Sequence, residues 1–267
     1  MISTRDNEFS SKITKTAEIA AITVKGDRES QQDCFGYEAD DEQLLFCLCD
    51  GMGGISGGAL ASKTAVTEVV QTFEALKAQK DICKCLTLIS KAADEKIFNL
   101  KDNKGDHLGA GTTIVSLCIR QNQLYWNAIG DSRLYVLRKN GFVQMTYDQN
   151  YRKVLEEKAK KGQISQLEFE QETYKKKSDT LINYLGIGAL ELIDHNEEAF
   201  ELKKEDALLI CSDGLYRLVE DVRLAEIIKA SPDIETALQW LEREARQEAG
   251  NRQRKRDNMT AALIRIR

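Results

Sequence analysis

The order of the predicted secondary-structure elements indicates an α+β fold in which antiparallel sheets are covered by helices. Short strands, a helix pair, a run of strands, a charged insert, further strands, a second helix pair and a final strand follow one another along the 267 residues. Strands and helices do not alternate one by one, as the βαβ units of a parallel sheet would. Hydrophobic residues make up 42% and charged residues 30% of the chain, which is typical of an ordinary globular protein.

The first third of the chain predicts two strands followed by two helices. Apolar residues cluster at 19–24 and 44–49, and a glycine-rich loop follows the second cluster. Apolar side chains then recur at helical spacing over 60–76, and a second run over 82–100 does the same. We therefore expect a helix pair directly after the glycine-rich loop.

The middle of the chain predicts an antiparallel meander followed by an insert. Four apolar runs are separated by short turn signals such as Gln121-Asn122, so neighbouring runs are expected to pair as hairpins. Residues 150–177 are highly charged and poor in apolar side chains, whereas 181–185 returns to core-like composition. The predicted strands of the meander are 113–119, 123–129, 134–137 and 142–145.

The last third predicts two strands, two helices and a final strand that follows Asp257. No repeat, low-complexity linker or proline-rich tract interrupts the chain. We expect a single domain over residues 1–267 with a small insert at about 150–181. The remaining predicted elements are strands at 198–202 and 207–211, helices at 222–230 and 234–247, and a strand ending at Ile266.

Composition excludes several classes of function. The net charge of -5 argues against a nucleic-acid binder, which usually carries a basic surplus. No apolar run approaches the roughly 20 residues of a membrane span, and residues 1–16 are unlike a secretory signal. The seven cysteines form no Cys-x-x-Cys pair, and the two histidines lack ligand spacing, which argues against a zinc site. These features predict a cytoplasmic protein with buried free thiols and no membrane association.

Four aspartates each lie at one end of an apolar, strand-like run. They are Asp50, Asp131, Asp213 and Asp257. Asp-Gly is also a common hairpin signal, and a turn is the alternative for any single one of them. Several carboxylates at one sheet edge would repel one another, and Mg²⁺ or Mn²⁺, which prefer oxygen ligands, would relieve that repulsion. The pattern therefore favours metal-assisted phosphoester hydrolysis.

Six short motifs stand in a fixed order across essentially the whole chain. They are Arg28-x-x-Gln31-Gln32-Asp33, Asp50-Gly51-Met52-Gly53-Gly54, Gly111-Thr112-Thr113, Gly130-Asp131-Ser132-Arg133, Ser212-Asp213-Gly214-Leu215 and Asp257-Asn258-Met259-Thr260. In order and spacing, this set resembles the signature of the type 2C metal-dependent protein phosphatases, the PPM family. The resemblance implies a four-layer αββα sandwich of two antiparallel β-sheets flanked by helix pairs, with a metal cluster at one end.

The resemblance also implies a division of roles among the site residues. Asp50, Asp213 and Asp257 match the ligands of one Mn²⁺ or Mg²⁺ ion. Asp33, Asp50 and the carbonyl of Gly51 match the ligands of a second ion, so that Asp50 bridges the pair. Two such ions about 3.5 to 4 Å apart lower the pKa of a water molecule held between them.

Four further features carry over by resemblance. Asp131, together with Asp213, matches a weaker third metal site of bacterial members. Arg28 is expected to bind the substrate phosphate, because a guanidinium engages two phosphate oxygens with a planar fork. Met52 stands where animal members carry a histidine and matches bacterial members. The insert, Asn150 to Leu181, corresponds to the flap beside the active site.

The implied function is hydrolysis of phosphoserine and phosphothreonine in proteins by a metal-activated water, without a covalent phosphoenzyme. The expected partners are phosphorylated proteins, and the expected opponent in signalling is a serine/threonine protein kinase, with the phosphatase acting as a monomer. The alternative is a non-catalytic binding or sensory module that retains the fold. Its weakness is the intact aspartate set, for which such a module has no physical need.

Three other patterns allow different interpretations. The loop after Asp50 resembles a dinucleotide-binding turn, but it lacks the final glycine or alanine and would point a carboxylate at the pyrophosphate. Cys211 and Arg217 have the Cys-x5-Arg spacing of cysteine-dependent phosphatases, but Asp213 would repel phosphate inside that loop. The basic runs 175–177 and 252–256 indicate either solvated faces or recruitment of acidic phosphopeptides.

Overall fold

Two antiparallel sheets form the centre of the molecule. The structure, a computed structural model, describes residues 1–3, 5–139, 141–173 and 176–267, and of 54–56, 176 and 177 only the backbone. In chain order the strands are β1 (Asn7–Ile13), β2 (Ala17–Val24), β3 (Asp33–Ala39), β4 (Gln43–Met52), β5 (Gly111–Thr112), β6 (Ile114–Arg120), β7 (Gln123–Ile129), β8 (Arg133–Arg138), β9 (Gly141–Gln144), β10 (Asp194–His195), β11 (Phe200–Glu201), β12 (Ala207–Cys211) and β13 (Met259–Ile266).

Each sheet combines strands from distant parts of the chain. The first sheet has the order β1-β2-β13-β12-β8-β9, so the last strand of the chain lies near its middle. The second sheet has the order β10-β7-β6-β4-β3, with β11 also on β7 and β5 on the end of β4. The hairpin between β6 and β7 turns at Gln121 and Asn122, whose φ angles of 50° and 60° are those of a tight hairpin turn.

Helices cover the outer face of both sheets. Helices α1 and α3 contact the second sheet, and α7 and α8 pack on the first. No helix of the described ranges has the length and apolar character that a membrane crossing requires. The helices are α1 (Gly54–Val70), α2 (Phe73–Lys77), α3 (Ile82–Phe98), α4 (Tyr151–Lys160), α5 (Gln166–Thr173), α6 (Asp213–Tyr216), α7 (Asp221–Ala230) and α8 (Ile234–Asn251), with a 3₁₀ turn at Lys176–Asp179.

The buried apolar side chains form three layers. One layer lies between the sheets and joins residues such as Phe46 of the second sheet to Ile264 of the first. The other two lie between each sheet and its helices. Strand β4 is buried on both faces because the first sheet covers one and α1 the other, which explains its unbroken apolar sequence. The expected α+β fold, a four-layer αββα sandwich, is confirmed.

Several elements differ from the expectations. The helix expected over 60–76 begins at Gly54, inside the glycine-rich loop, and ends at Val70, after which α2 forms separately. Strand β1 was not expected because it is a mostly exposed edge strand of polar sequence. In the insert, α4 buries Leu155 and α5 buries no described side chain, in agreement with their polar composition.

Candidate active site

The first pair of site residues lies on neighbouring strands. In the register of β3 and β4, Asp33 is directly opposite Asp50. The Asp33 carboxylate is buried, and its Oδ2 accepts a hydrogen bond from the Ser212 hydroxyl at 2.7 Å. That hydroxyl also accepts the backbone N–H of Thr260 at 3.0 Å, so a single Ser212 oxygen connects the second sheet to β13 of the first.

The second pair is brought together by close backbone contact. Asp213 begins α6 two residues after the end of β12, and Asp257 lies two residues before β13. A Cβ atom at Gly214 would overlap the carbonyl oxygen of Asn258. Glycine at position 214 therefore lets the start of α6 lie against the loop that carries Asp257.

Asp131 lies where the chain passes from the second sheet to the first. It follows β7 and precedes β8, and its side chain is buried. Its Oδ2 accepts a hydrogen bond from the Asn150 amide at 3.0 Å and one from Nη2 of Arg217 at 3.2 Å. The carboxylate is thus held from both the base of the insert and the end of α6.

Asn258 organises the loop that carries Arg28. Its Nδ2 donates to the carbonyl oxygens of Lys25 and Ser30, at 2.8 and 3.0 Å, and its Oδ1 accepts the N–H of Gln32 at 2.9 Å. The Arg28 guanidinium is 59% exposed and pairs with the Asp257 carboxylate. One asparagine side chain therefore fixes the loop on both sides of Arg28.

These groups surround one cavity of about 670 Å³ at one end of the sandwich. Asp33 is not part of its wall; it lies beside Asp50 in the sheet. The end of the insert, from Asp179 to Leu181, closes one side. Of the site residues expected from sequence, those that line the cavity are Arg28, Asp50, Gly51, Asp131, Asp213 and Asp257.

Burial and mutual repulsion disfavour the charged form of the carboxylates. Burial raises the pKa of Asp33 to about 6. Burial, opposed by Arg217 and reinforced by Asp131 and Asp257, raises the pKa of Asp213 to about 7. The pKa values of Asp50 and Asp131 are also raised, chiefly by burial, and for Asp50 by the charges of Asp33 and Asp213 as well. Such a cluster is stabilised by added positive charge.

The residues fit a pair of oxygen-preferring divalent cations. The donors are carboxylates and a carbonyl, as Mg²⁺ and Mn²⁺ prefer, and Oδ1 of Asp33 is buried without a hydrogen-bond partner. Position 51, whose carbonyl is the backbone donor of this set, requires glycine because a Cβ atom there would overlap the carbonyl oxygen of Gly58. As the side chains stand, no three His, Cys, Asp or Glu residues of the described ranges are grouped to hold an ion. Arg28 instead pairs with Asp257, so ion binding at Asp257 requires the Arg28 side chain to reorient, whereas Arg217 occupies one oxygen of Asp131 and one of Asp213.

The surroundings of Cys211 show whether it is the catalytic thiol of a Cys-x5-Arg phosphatase or a buried core residue. Its side chain is fully buried in the layer between the first sheet and its helices, and burial raises the pKa of the thiol. Arg217 contacts carboxylates rather than a thiol-containing loop. The Cys-x5-Arg spacing is therefore coincidental, as expected from Asp213.

Four residues of the site had no assigned role in the sequence. Ser212 and Asn150 donate hydrogen bonds to Asp33 and Asp131, Asn258 holds the loop on both sides of Arg28, and Arg217 pairs with Asp131 and Asp213. Ser212 and Asn258 belong to the six motifs of the sequence, so the sequence does carry a signal for these two residues. Arg217 lies four residues after Asp213, a helical spacing that places two side chains on one face.

Comparison with known proteins assigns these features to a family. The sequence profile of the family described as Protein phosphatase 2C matches residues 18–161. Over 231 residues the chain is 27% identical to the serine/threonine phosphatase stp of Listeria monocytogenes, covering 85% of this chain and 86% of that protein. It is 28% identical over 251 residues to the protein phosphatase PhpP of Streptococcus pneumoniae, covering 92% and 96%.

A solved structure supports the fold. The catalytic domain of the serine/threonine protein phosphatase PstP, in complex with two manganese ions, matches with a TM-score of 0.75. The two chains are 24% identical, and the match covers 94% of this chain and 98% of that one.

Proposed function

Because the chain belongs to the protein phosphatase 2C family and is a metal-dependent protein serine/threonine phosphatase, we propose that phosphoserine and phosphothreonine esters are hydrolysed in the cavity beside Arg28. One observation carries this assignment. Asp50, Asp131, Asp213 and Asp257 line a single open cavity, together with an arginine that is more than half exposed. No described feature favours a non-catalytic module.

Two divalent ions fit the proposed site. We assign Asp50, Asp213 and Asp257 to one ion, and Asp33, Asp50 and the Gly51 carbonyl to the other. The manganese complex of the PstP catalytic domain, whose fold this chain shares, supports two ions, and the all-oxygen donor set suits either Mn²⁺ or Mg²⁺. When bound, the ions supply a water of lowered pKa as the nucleophile.

The chain's own residues bind and orient the substrate. The Arg28 guanidinium leaves Asp257 and takes two oxygens of the phosphoryl group, which its planar fork matches. Ser212 and the strand register hold Asp33 and Asp50 at a fixed separation. No cysteine is among the described residues that line the cavity, which supports direct hydrolysis without a covalent phosphoenzyme.

The cellular setting follows from the reaction. We propose that the substrates are phosphorylated proteins of a signalling pathway and that a serine/threonine protein kinase opposes this enzyme. The two relatives described above are bacterial, which supports a bacterial enzyme of this kind. We further propose that residues 1–267 act in the cytoplasm as a monomeric single catalytic domain, with residues 150–181 as its flap.

Hydrolysis of a phosphothreonine peptide tests the proposal. The wild type is expected to be active with Mn²⁺ and inactive with EDTA. Asp50→Asn is expected to lower kcat by more than about 100-fold. Replacing a residue that only supports a metal ligand typically costs about 10- to 100-fold, and Asp50 is itself a proposed ligand. Asp41→Asn is the matched control, because Asp41 is an acid paired with Lys15 away from the cavity. Retained activity in EDTA, or in folded Asp50→Asn, would contradict the proposal, as would loss of activity on thiol alkylation.

A further inference from the structure

The Arg217 side chain lies between the two aspartates that resemblance assigns to a third metal ion. Its Nη2 atom is 3.0 Å from Oδ2 of Asp213 and 3.2 Å from Oδ2 of Asp131. Both carboxylates are largely buried, with 15% and 5% of the side chain exposed. A single positively charged nitrogen therefore bridges the two groups that a third cation would bridge.

Local structure explains why Arg217 reaches both groups. Asp213 is the first residue of α6 and Arg217 follows its last residue, so the two side chains lie on the same face. Asp131 approaches from the turn between the sheets, where the Asn150 amide holds the same Oδ2 atom. Since Oδ2 of Asp131 already accepts two hydrogen bonds, a metal ion could take that atom only by displacing charged or polar donors.

A third carboxylate binds the opposite side of the guanidinium. Nη1 of Arg217 is 3.3 Å from Oδ2 of Asp179, which belongs to the 3₁₀ turn of the flap. Asp179 also pairs with Arg152 of α4, at 3.0 Å. The guanidinium is thus held by three carboxylates from three segments, and a divalent ion entering between Asp131 and Asp213 would meet its charge at close range.

We propose that the Arg217 guanidinium takes the place of the third metal ion in this phosphatase. The side chain neutralises Asp131 and Asp213 permanently, and the loaded enzyme holds two ions instead of three. Asp213 keeps its other oxygen for the ion that it shares with Asp50 and Asp257. This inference rests on the proposed two-metal function and concerns only the additional site.

Counting bound ions tests the inference without measuring activity. Metal-free protein is dialysed to equilibrium against a series of Mn²⁺ concentrations, and bound manganese is determined by elemental analysis. Wild type and Arg217→Lys are expected to reach two ions per chain, because both keep a cation at the site. Arg217→Met, which keeps bulk and removes charge, is expected to bind a third ion with lower affinity.

Two further variants make the result specific. Arg152→Met removes another partner of Asp179 but does not contact Asp131 or Asp213, so it is expected to stay at two ions. Adding Asp131→Asn to Arg217→Met is expected to abolish the third ion. General destabilisation cannot imitate this outcome, because it lowers the number of bound ions, and thermal melts identify variants that are not folded.

Three results would overturn the inference. A third ion in the wild type overturns the inference and leaves the proposed function intact. Two ions in folded Arg217→Met also overturn it. A wild type that binds no Mn²⁺ overturns the proposed function and this inference together.

Discussion

One oxygen atom of Asp33 is buried where no hydrogen-bond donor reaches it. Oδ2 of the same carboxylate accepts the Ser212 hydroxyl, whereas Oδ1 has no partner. An unsatisfied buried acceptor is costly, and a like-charged neighbour directly across the strands at Asp50 adds to the cost. The metal-free site is therefore a local source of instability that protonation or a cation relieves.

The metal-free protein is expected to lose stability as pH rises from about 4 to about 7. Asp33 and Asp213 titrate at an ordinary 3.8 when unfolded but at about 6 and about 7 when folded. Between these values the folded chain holds protons that the unfolded chain has released, so the free energy of unfolding falls with pH. For Asp33 alone the loss is on the order of 3 kcal/mol.

Urea denaturation in EDTA across this pH range measures the effect. Asp33→Asn is the comparison, since it removes one of the titrating groups and leaves the paired surface carboxylates unchanged. Its stability should decline less steeply than that of the wild type, and excess Mn²⁺ should flatten the wild-type curve. Parallel curves for the two proteins would show that Asp33 is not the titrating group.

Arg28 is expected to act on the substrate rather than on the ions. Replacing Arg28 by alanine removes charge-assisted hydrogen bonds to phosphate, which are worth about 1.5 to 3 kcal/mol. We therefore expect kcat/KM for a phosphopeptide to fall about 10- to 100-fold while the number of bound Mn²⁺ ions is unchanged. Arg256→Ala is the control, because Arg256 pairs with Asp27 on the same loop and does not line the cavity. Equal losses in both variants would argue against a phosphate contact at Arg28.

At the scale of elements, the flap is joined to the domain by its base and by ion pairs. Backbone hydrogen bonds close the base, from Tyr151 to Thr180 and from Ile182 to Gln149, both at 2.9 Å. Helices α4 and α5 bury few described side chains, so little apolar packing holds the flap itself. The contacts of Asp179 with Arg152 and Arg217 therefore matter more here than they would on a packed helix.

Removing the Asp179 carboxylate should loosen the flap. Surface ion pairs contribute about 0.2 to 1 kcal/mol, so Asp179→Asn is expected to raise amide hydrogen exchange across residues 150–181 up to about fivefold. Glu156→Gln serves as control, because Glu156 pairs with Lys153 inside α4. If hydrogen exchange is unchanged in Asp179→Asn, or rises equally in Glu156→Gln, the flap is held by the backbone hydrogen bonds at its base and not by the ion pairs of Asp179.

At the scale of the whole molecule, a net charge of -5 opposes the approach of acidic phosphopeptides. Of the basic run 252–256, Arg252 pairs with Glu248 and Arg256 with Asp27. Arg254 is exposed and lines a second cavity, of about 890 Å³, that shares Asp179 and Arg217 with the catalytic cavity. In the other run, Lys175 and the side chains of Lys176 and Lys177 lie outside the described residues.

Arg254 is therefore the residue of this run best placed to attract acidic substrates. Arg254→Ala is expected to lower kcat/KM for a phosphopeptide with acidic flanking residues about two- to fivefold, and less for a neutral one, as for an exposed ion pair. Lys255→Ala, which removes the same charge from the neighbouring position, should have little effect because Lys255 does not line either cavity. Equal losses of kcat/KM for the acidic and the neutral peptide in Arg254→Ala would contradict this role of Arg254.

The position of a residue in the chain decided whether its role was predictable. Asp50 lies near the end of β4 and Asp213 lies two residues after the end of β12, both inside local motifs, so their gathering at one sheet edge could be expected. The contact between Arg217 and Asp131 spans 86 positions and depends on how the two sheets and the flap are packed, which no local pattern reports. Strand β1 escaped prediction for a related reason, since an exposed edge strand needs no apolar alternation.

The Ser212 hydroxyl has a mechanical consequence for the sandwich. It binds Asp33 of one sheet and the backbone of Thr260 in the other, at the end where the carboxylates gather. The apolar layer between the sheets is non-directional and by itself would tolerate small sliding of one sheet over the other. The hydrogen bonds of the Ser212 hydroxyl are directional and do not tolerate such sliding. Any shear between the sheets therefore changes the spacing of the aspartates before it exposes the core.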